Sequence, residues 1–301
     1  MSDPRPKLLY IFPAVGVVCL CLLAYSYFIE PNRLVVNQQN LAVNRLDPAF
    51  NGLKIVAISD IHGGSNGVTV DNIKRLVQTV NAQAPDIIVI LGDFVSQTDE
   101  SENGADGPLK MDVDTMSLAL TGFAARYGTF AVLGNHDFWY GDDVVAAALT
   151  NAGIKVLQNE VVAIPIGGKT LRLLGVKDHM HIKTWTQYAT DAQNAILNGP
   201  IGDDVIILEH SPDVFPILAG KNPISKDVKL FLAGHTHGGQ VWLPILGMPI
   251  VPSSYGQKYA RGHVRENDID LFVTTGIGTS VLPIRFLMPP EIAVLTLTQA
   301  P

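Results

Sequence analysis

The sequence predicts an α/β fold in which two β-sheets pack face to face and helices flank them, preceded by one membrane-spanning helix. Three observations lead to this prediction. Short apolar runs alternate with segments of helical periodicity along the chain. Five of those runs end in a side chain that can bind a metal ion. An uncharged segment, residues 8–29, is long enough to cross a bilayer.

The uncharged segment is interpreted as an anchor that remains on the protein. A cleaved signal peptide is one alternative, with Ala24 and Ser26 as its small residues, and a buried helix is another. The apolar run continues beyond this point through Ile29, which favours the anchor. We therefore divide the chain into an anchor at residues 1–30 and one domain at residues 31–301.

Two basic residues, Arg5 and Lys7, precede the segment. Because basic residues favour the cytoplasmic side of a membrane, they predict a single-pass protein whose domain lies outside the cytoplasm.

Composition narrows the possible functions. With 301 residues, of which 47% are hydrophobic, the chain can bury a sizeable core. Its formal net charge of -7 argues against a nucleic-acid surface, since phosphate backbones are bound by basic patches. The two cysteines, Cys19 and Cys21, both lie in the uncharged segment. Disulfide and thiolate chemistry are therefore excluded from the rest of the chain.

The first half of the chain predicts a βαβ unit. Residues 32–51 predict one or two edge strands, and the first central strand begins at Leu53. Thr69 can cap a helix, and Pro85 marks the return to a strand. The acidic residues 97–114 lack apolar periodicity and are interpreted as a solvated flap; their spacing does not match that of a calcium-binding loop.

The second half predicts further helices and strands. Helices are expected at residues 118–125, 142–152, 185–197 and 212–218. Antiparallel strands are expected in residues 154–176, around the Gly167-Gly168 turn, and closing strands at residues 241–243, 271–275 and 291–297.

The side chains that end the five apolar runs are carboxylates, imidazoles and one amide. Isolated histidines are usually ordinary surface residues, but groups that follow several strands of an α/β sheet converge at its carboxyl edge. We therefore expect one metal cluster from the residues Asp60, His62, Asp93, Asn135, His136, His210, His235 and His237.

These residues stand in five blocks that resemble, in order and spacing, those of the calcineurin-like metallophosphoesterases. The resemblance covers residues 53–297, and its blocks are Asp60-x-His62, Gly92-Asp93, Gly134-Asn135-His136-Asp137, His210 and Gly234-His235-x-His237. The form Gly-His-Thr-His-Gly-Gly-Gln at residues 234–240 and the amino-terminal apolar segment most resemble the membrane-associated bacterial subgroup.

The resemblance implies a site of two divalent metal ions bridged by Asp93. One ion would be bound by Asp60, His62, Asp93 and His237, and the other by Asp93, Asn135, His210 and His235. These ligand types suit manganese, which we expect, and also iron or zinc. Such a site activates a bridging water to hydroxide for attack on phosphorus.

Several further residues have predicted roles. By resemblance, His136 contacts phosphate and protonates the leaving oxygen. Many relatives place an acidic residue or asparagine three positions after the bridging aspartate; this chain has Ser96 there, and Asp137 could substitute. Arg285 could bind phosphate or form a buried ion pair. His179 and His181 predict a loop near the substrate cleft, with a second metal site as the alternative.

The expected function is a metal-dependent phosphohydrolase acting on phosphodiesters or phosphomonoesters. A metal-binding scaffold without turnover is the alternative, but every expected ligand position is filled. The apolar, proline-rich residues 241–252 and 281–290 predict loops that either face a bilayer or pack on each other. A bilayer-facing site would suit a lipid-linked phosphoester or pyrophosphate, and the resemblance allows the lipid A precursor UDP-2,3-diacylglucosamine as one candidate.

Overall fold

A computed structural model describes residues 5–101 and 104–301 of the chain. Met1 to Pro4, at the start of the predicted anchor, and Glu102 and Asn103, in the predicted flap, lie outside the described residues. In chain order, the strands are β1 (Val35–Val43), β2 (Lys54–Ile58), β3 (Ile87–Leu91), β4 (Gln97–Ser101), β5 (Gly104–Leu109), β6 (Thr129–Val132), β7 (Lys155–Val156), β8 (Glu160–Ile166), β9 (Lys169–Gly175), β10 (Val205–Leu208), β11 (Val228–Ala233), β12 (Gly262–Glu266), β13 (Ile269–Val273) and β14 (Glu291–Gln299).

The α-helices cover the sheets or precede them. They are α1 (Arg5–Ala24), α2 (Val70–Asn81), α3 (Val113–Ala119), α4 (Asn135–Tyr140), α5 (Asp142–Asn151), α6 (Trp185–Asn198) and α7 (Phe215–Leu218).

Two six-stranded sheets form the body of the protein. The first has the strand order β1-β14-β2-β3-β6-β7, and all neighbours in it are parallel except β14 and β2. The second has the order β12-β13-β11-β10-β9-β8, with parallel strands in the middle and an antiparallel strand at each edge. Because the central strands of each sheet are parallel, the carboxyl ends of several strands lie at the same edge.

A buried apolar layer separates the sheets because consecutive residues of a strand face opposite sides. In β2, Ile55 and Ala57 face this shared layer together with Leu230 and Leu232 of β11. The intervening Val56 and Ile58 pack on the opposite side, in a cluster that also contains residues of α2, α3 and α5. A third cluster joins the second sheet to α6 and α7. The predicted two-sheet sandwich flanked by helices is confirmed.

Most predicted elements form where the sequence placed them, and their caps explain why. The Thr69 hydroxyl accepts a hydrogen bond from the Asn72 N–H and begins α2, as expected. Thr184 caps α6 in the same way, through the Gln187 N–H. The turn at Gly167 and Gly168, both with positive φ, joins the antiparallel strands β8 and β9.

Two local predictions are wrong, those for residues 118–125 and 241–243, and two elements were not predicted, the hairpin in the flap and strand β12. The acidic flap contains a two-stranded hairpin, β4 and β5. The helix expected at residues 118–125 instead begins at Val113. The Asp112 carboxylate fixes this earlier start because it accepts hydrogen bonds from the backbone N–H groups of Asp114 and Thr115. Residues 241–243 make only isolated bridges, to Phe286 and Gly247. Strand β12, whose side chains are mostly polar, was not predicted.

The amino-terminal helix leaves the body of the protein. Residues 12–32 are long and apolar enough to span a bilayer, and few of their side chains are buried. The helix ends in a wide turn at Tyr25–Ile29. This turn packs on the body, because the Ser26 carbonyl accepts a hydrogen bond from the Arg285 backbone N–H at 3.0 Å, and the Tyr27 carbonyl accepts one from the Asn66 side chain at 2.7 Å.

Candidate metal centre

The loops after β2, β3, β6, β10 and β11 meet at one edge of the sandwich, and they bring the predicted ligands together. Their imidazole, carboxylate and amide side chains form two groups within one cluster. All are buried except His235, which is half-buried. The cluster contains Asp60, His62, Asp93, Asn135, His210, His235 and His237.

The first group surrounds the ring nitrogen of His237. Its Nε2 atom lies 3.2 Å from His62 Nε2 and 3.4 Å from Asp60 Oδ1. His62 Nε2 is in turn 3.6 Å from Asp93 Oδ2. Four side chains thus direct nitrogen or oxygen atoms into one small space.

The second group surrounds His210. Its Nε2 atom lies 3.1 Å from Asp93 Oδ2, 3.1 Å from Asn135 Oδ1 and 3.1 Å from His235 Nδ1. Asp93 therefore contacts both groups through the same carboxylate oxygen. A carboxylate in this position can hold two cations side by side and reduce their mutual repulsion.

The donor atoms of this cluster fit divalent metal ions. The His210 Nδ1–H donates a hydrogen bond to the Leu91 carbonyl at 2.7 Å, which leaves the lone pair of Nε2 directed at Asp93 and Asn135. In each group, two imidazole nitrogens face each other at about hydrogen-bond distance. If both nitrogens present lone pairs, the two lone pairs repel each other. A cation between them removes this repulsion, and this mixture of nitrogen and oxygen donors suits manganese, iron or zinc.

Backbone strain is concentrated at the same residues. Positive φ angles, uncommon for residues other than glycine, occur at Asp60 (52°), His62 (46°), Asp93 (55°), His235 (68°) and His237 (51°). Each such backbone conformation costs on the order of 1 to 3 kcal/mol of folding free energy, so the surrounding fold must hold these five residues in place. Strain is thus concentrated at five of the seven candidate ligands, a distribution typical of functional sites.

Glycine is needed beside these ligands because the backbone passes very close to them. A Cβ atom on Gly134 would collide with the Asp93 carboxylate, and one on Gly234 would collide with Ser59 and Asp60. These glycines let separate loops approach the same carboxylates.

Burial and the neighbouring imidazoles set the charge of the cluster. Burial raises the pKa of Asp60 to about 6. Burial also opposes ionisation of Asp93, but the nearby His210 and His136 outweigh it and hold the pKa of Asp93 well below its usual range. Burial, with His210 beside it, lowers the pKa of His235 to about 4. Asp93 is therefore ionised and His235 neutral near pH 7, which are the forms that bind metals.

His136 lies against the first group, with its ring centre 4.7 Å from that of His62. Its backbone N–H donates to Asp93 Oδ1 at 2.9 Å, and its Nδ1 atom is 3.4 Å from Oε1 of the buried Gln97. Sequence reasoning missed Gln97, although it follows the Ser96 position directly. Its amide can orient the His136 ring.

The suggestion that Asp137 supports His136 is wrong. The Asp137 carboxylate accepts hydrogen bonds from the backbone N–H groups of Phe94, Val95 and Gly134. It therefore ties the loop after β3 to the start of α4. Its role is to hold the loops that carry Asp93 and His136.

Arg285 is fully buried, and its side chain binds backbone carbonyls. Its guanidinium donates to the carbonyls of Thr275, Gly278 and Met288 at 2.6 to 3.0 Å. One of its nitrogens also lies 3.4 Å from Nδ1 of His237. Neither predicted role for Arg285, as a phosphate ligand or an ion-pair partner, describes these contacts. They make it a residue that positions the loop behind His237.

The predicted loop with two histidines lies beside the second group. The ring of His179 is 6.4 Å from that of His235, and the ring of His181 is 4.5 Å from that of Phe138 in α4. His181 Nε2 is 3.2 Å from the Asp142 carboxylate. The loop thus forms one wall next to the candidate metal centre.

Comparison with known proteins agrees with this geometry. A family model described as calcineurin-like phosphoesterase matches residues 53–239. The chain is 30% identical to the uncharacterized metallophosphoesterase YkuE of Bacillus subtilis (strain 168), over 91% of this chain and 88% of that protein. It is 26% identical to phosphodiesterase YaeI of Escherichia coli (strain K12), over 91% of this chain and 92% of that protein.

A third relative is larger than this chain. The transmembrane protein with metallophosphoesterase domain of Danio rerio is 28% identical over 86% of this chain, but the match spans only 56% of that protein.

The contact between His136 and Gln97 leads to a test of their roles. His136→Ala should slow hydrolysis of esters with poor alkoxide leaving groups by a factor on the order of 100 to 10,000, and should slow those with acidic phenol leaving groups much less. Gln97→Leu should produce the same bias with a smaller loss, because the imidazole remains but loses its orienting contact. Rates across a leaving-group series would measure this.

Ser96→Ala, at the adjacent buried position, is the matched control and should be mild across the series. Equal losses for every leaving group in His136→Ala would mean that His136 positions phosphate and does not deliver a proton.

Proposed function

The chain belongs to the calcineurin-like phosphoesterase family and is a metal-dependent phosphoester hydrolase, and we propose that its centre holds two divalent ions. The sharing of one carboxylate oxygen of Asp93 by both ligand groups is the observation that carries this proposal. Asp60, His62, Asp93 and His237 would bind one ion, and Asp93, Asn135, His210 and His235 the other. Manganese is the proposed metal, with iron or zinc as alternatives.

When bound, two such ions would lower the pKa of water to give a nucleophile near neutral pH and would offset charge on the phosphoryl oxygens. The residues of the chain supply the rest. Asp93 fixes the spacing of the two groups, and the strained loops hold the ligands before substrate arrives. His136 lies beside the first group and would donate a proton to the leaving oxygen. Gln97 would keep its ring in that orientation.

We propose a phosphodiester as the substrate class. The name of the E. coli relative, phosphodiesterase, supports this choice. The alternatives are a phosphomonoesterase and a scaffold that binds metal without turnover. The presence of both complete ligand groups supports an enzyme over a scaffold.

Asp93→Asn tests the two-metal proposal and the enzyme proposal together. The purified protein should hydrolyse bis(p-nitrophenyl) phosphate faster than the corresponding monoester, and only after manganese is added back to chelated protein. The variant should lose nearly all turnover, at least about 100-fold, because a neutral amide cannot bridge two cations. Bound metal per chain should fall in parallel.

An Asp93→Asn protein that keeps two bound ions and normal turnover would contradict the two-metal proposal. A metal-loaded wild type with no activity on either ester, but with two tightly bound ions, would favour the scaffold.

We propose that residues 1–30 anchor the domain formed by residues 31–301 in a membrane. The length of the apolar helix and the name of the Danio rerio relative, a transmembrane protein, support this proposal. The end of the helix makes specific contacts with the domain, which a removable signal peptide would not need. Tyr25 packs edge-on against Phe286, and Asn66 bridges the carbonyls of Tyr27 and Pro283.

Two apolar loops reach the surface near this helix end. The tips of the first loop, Ile245 and Leu246, are largely exposed, as are Val281 and Leu282 of the second. The bases of the loops are joined, since the Trp242 N–H donates to the Phe286 carbonyl and Gln240 binds the Leu282 carbonyl. The bases of the loops therefore pack on each other, and the exposure of the tips supports the bilayer-facing alternative for them.

The joined loops support a lipid-linked substrate. Exposed apolar tips beside a membrane anchor would enter the bilayer, where their burial is favourable. A cleft of about 260 Å³ lies between the helix end and the second loop and is lined by Tyr27, Ser65, Lys110, Ser280 and Leu282 among others. Ser65 lies three residues after His62 in the loop that follows β2. A phosphoester or pyrophosphate carried on a lipid, such as UDP-2,3-diacylglucosamine, would fit this arrangement of an apolar surface beside a polar cleft.

The domain should lie outside the cytoplasm, because Arg5 and Lys7 precede the apolar helix. Protease added to intact spheroplasts of an expressing bacterium should therefore digest the domain. Immunoblotting for the carboxyl terminus would measure this, with a cytoplasmic protein as the control for lysis. Protection in intact spheroplasts, followed by digestion after lysis, would reverse the orientation.

The loop tips allow a test of the lipid proposal. Ile245→Ser together with Leu246→Ser should lower hydrolysis of a vesicle-embedded lipid phosphodiester about tenfold and should spare a soluble aryl phosphodiester, because the tips contact the bilayer and not the metal centre. Initial rates on both substrates would measure the ratio.

The matched control is Leu197→Ser together with Ile201→Ser. Both residues are exposed, Ile201 to 96%. Leu197 lies in the last turn of α6, roughly 18 Å along the helix from its first residue, Trp185, and Ile201 follows the helix. Equal loss of both activities in the loop variant, together with lower thermal stability, would show that the loops belong to the core.

A further inference from the structure

A third group of metal-binding side chains lies outside the two groups that share Asp93. Asp178, His179 and Glu209 place one potential ligand atom each within 4.8 Å of the others. Asp178 and Glu209 are buried, with 2% and 0% of their surfaces exposed, and His179 is half-buried. Glu209 follows β10 directly, one residue before His210.

One side of each carboxylate is occupied by a hydrogen bond. Asp178 Oδ1 accepts from the Met180 N–H at 2.8 Å, and Glu209 Oε1 accepts from the Tyr188 hydroxyl at 3.0 Å. These bonds fix the two carboxylates and turn their remaining oxygens toward the same space. The arrangement is therefore held by α6 and by the turn at residues 178–181.

The remaining atoms of the group lack hydrogen-bond partners in the described part of the chain. They are Asp178 Oδ2, Glu209 Oε2 and His179 Nδ1, one from each residue. His179 Nδ1 and Asp178 Oδ2 lie 3.4 Å apart as an ion pair without the geometry of a hydrogen bond, so Glu209 Oε2 is the atom with neither kind of partner among the described residues. Leaving a buried polar atom unpaired costs about 1 to 3 kcal/mol, and more for a charged group. Glu209 Oε2 lies unpaired beside the Asp178–His179 pair, and this points to a ligand that all three atoms share.

We propose that Asp178, His179 and Glu209 bind a third divalent metal ion. Two carboxylate oxygens and one imidazole nitrogen are a donor set that manganese and zinc accept. Ligand atoms at about 2.1 Å from one ion stand at most about 4.2 Å apart, and the 3.4 Å between His179 Nδ1 and Asp178 Oδ2 lies within that limit. An ion here would compensate two buried carboxylates that otherwise repel each other.

This site is beside the two-metal centre but separate from it. The side chains of Glu209 and His210 point to different neighbours, Tyr188 in α6 and Asp93 respectively. The half-buried ring of His179 lies 6.4 Å from the ring of His235 and is the part of the group that solvent reaches. The inference does not depend on which phosphoester is the substrate.

Metal counting of the full-length protein in detergent tests the inference. The protein is stripped with chelator, loaded with manganese, desalted and analysed by mass spectrometry for metal per chain. We expect three ions for the wild type and two for Glu209→Gln and for His179→Gln. In crystals, anomalous scattering from manganese should give a peak between Asp178, His179 and Glu209.

Glu266→Gln is the matched control because Glu266 also accepts a hydrogen bond from a tyrosine hydroxyl, that of Tyr259, at 3.0 Å. This variant should keep the wild-type metal content. His179→Gln alters a half-exposed side chain, so it provides the result if Glu209→Gln does not fold.

A wild-type protein that holds only two ions would overturn the inference, and a proton shared by Asp178 and Glu209 would then explain the site. Variants that retain the wild-type metal content would overturn it as well. Loss of both ions of the two-metal centre in Asp93→Asn, with one ion left, would show that the third site fills independently.

Discussion

The structure depends on one buried carboxylate, that of Asp93. One of its oxygens contacts His62 and His210, which come from loops of different sheets, and the other accepts the backbone N–H of His136. An ionised group buried in this way is tolerated only where charge and hydrogen bonds compensate it. The two sheets must therefore keep their edges aligned, and the apolar layer between them provides that alignment.

Much of this arrangement could be predicted because strands impose simple rules on a sequence. Apolar runs predicted the central strands, and the polar residues after them predicted the cluster, since the carboxyl ends of parallel strands share an edge. The features that were missed each depend on one contact between two segments of the chain. Gln97 contacts His136, which lies 39 residues later in the sequence, so the spacing of the motifs does not predict this contact. The polar strand β12 forms because its neighbour β13 is buried and offers a free edge.

Arg285 shows most clearly why chemistry inferred from residue type can mislead. A buried arginine near metal ligands suggests a phosphate contact, yet its donors bind the carbonyls of Thr275, Gly278 and Met288. Its position within an irregular segment explains this choice, because a loop without strand partners leaves carbonyls that need donors. Side-chain type alone does not indicate which acceptors the backbone will present.

The same segment links the amino-terminal helix to the metal ligands. The backbone of Arg285 holds the Ser26 carbonyl at the helix end, while its side chain lies against His237. A short chain of packed groups thus connects the helix to the loop that carries two ligands. If the helix is held in a bilayer, its depth and tilt set the height of the cleft above the lipid surface. An enzyme that acts on a lipid-linked phosphate needs this height to be constant, because a displacement of about 1 Å in a reacting group can cost on the order of 100-fold in rate. A flexible tether would serve a soluble substrate equally well, so the hydrogen bonds of Ser26, Tyr27 and Asn66 would matter to the reaction only if the substrate is lipid-linked, as proposed above.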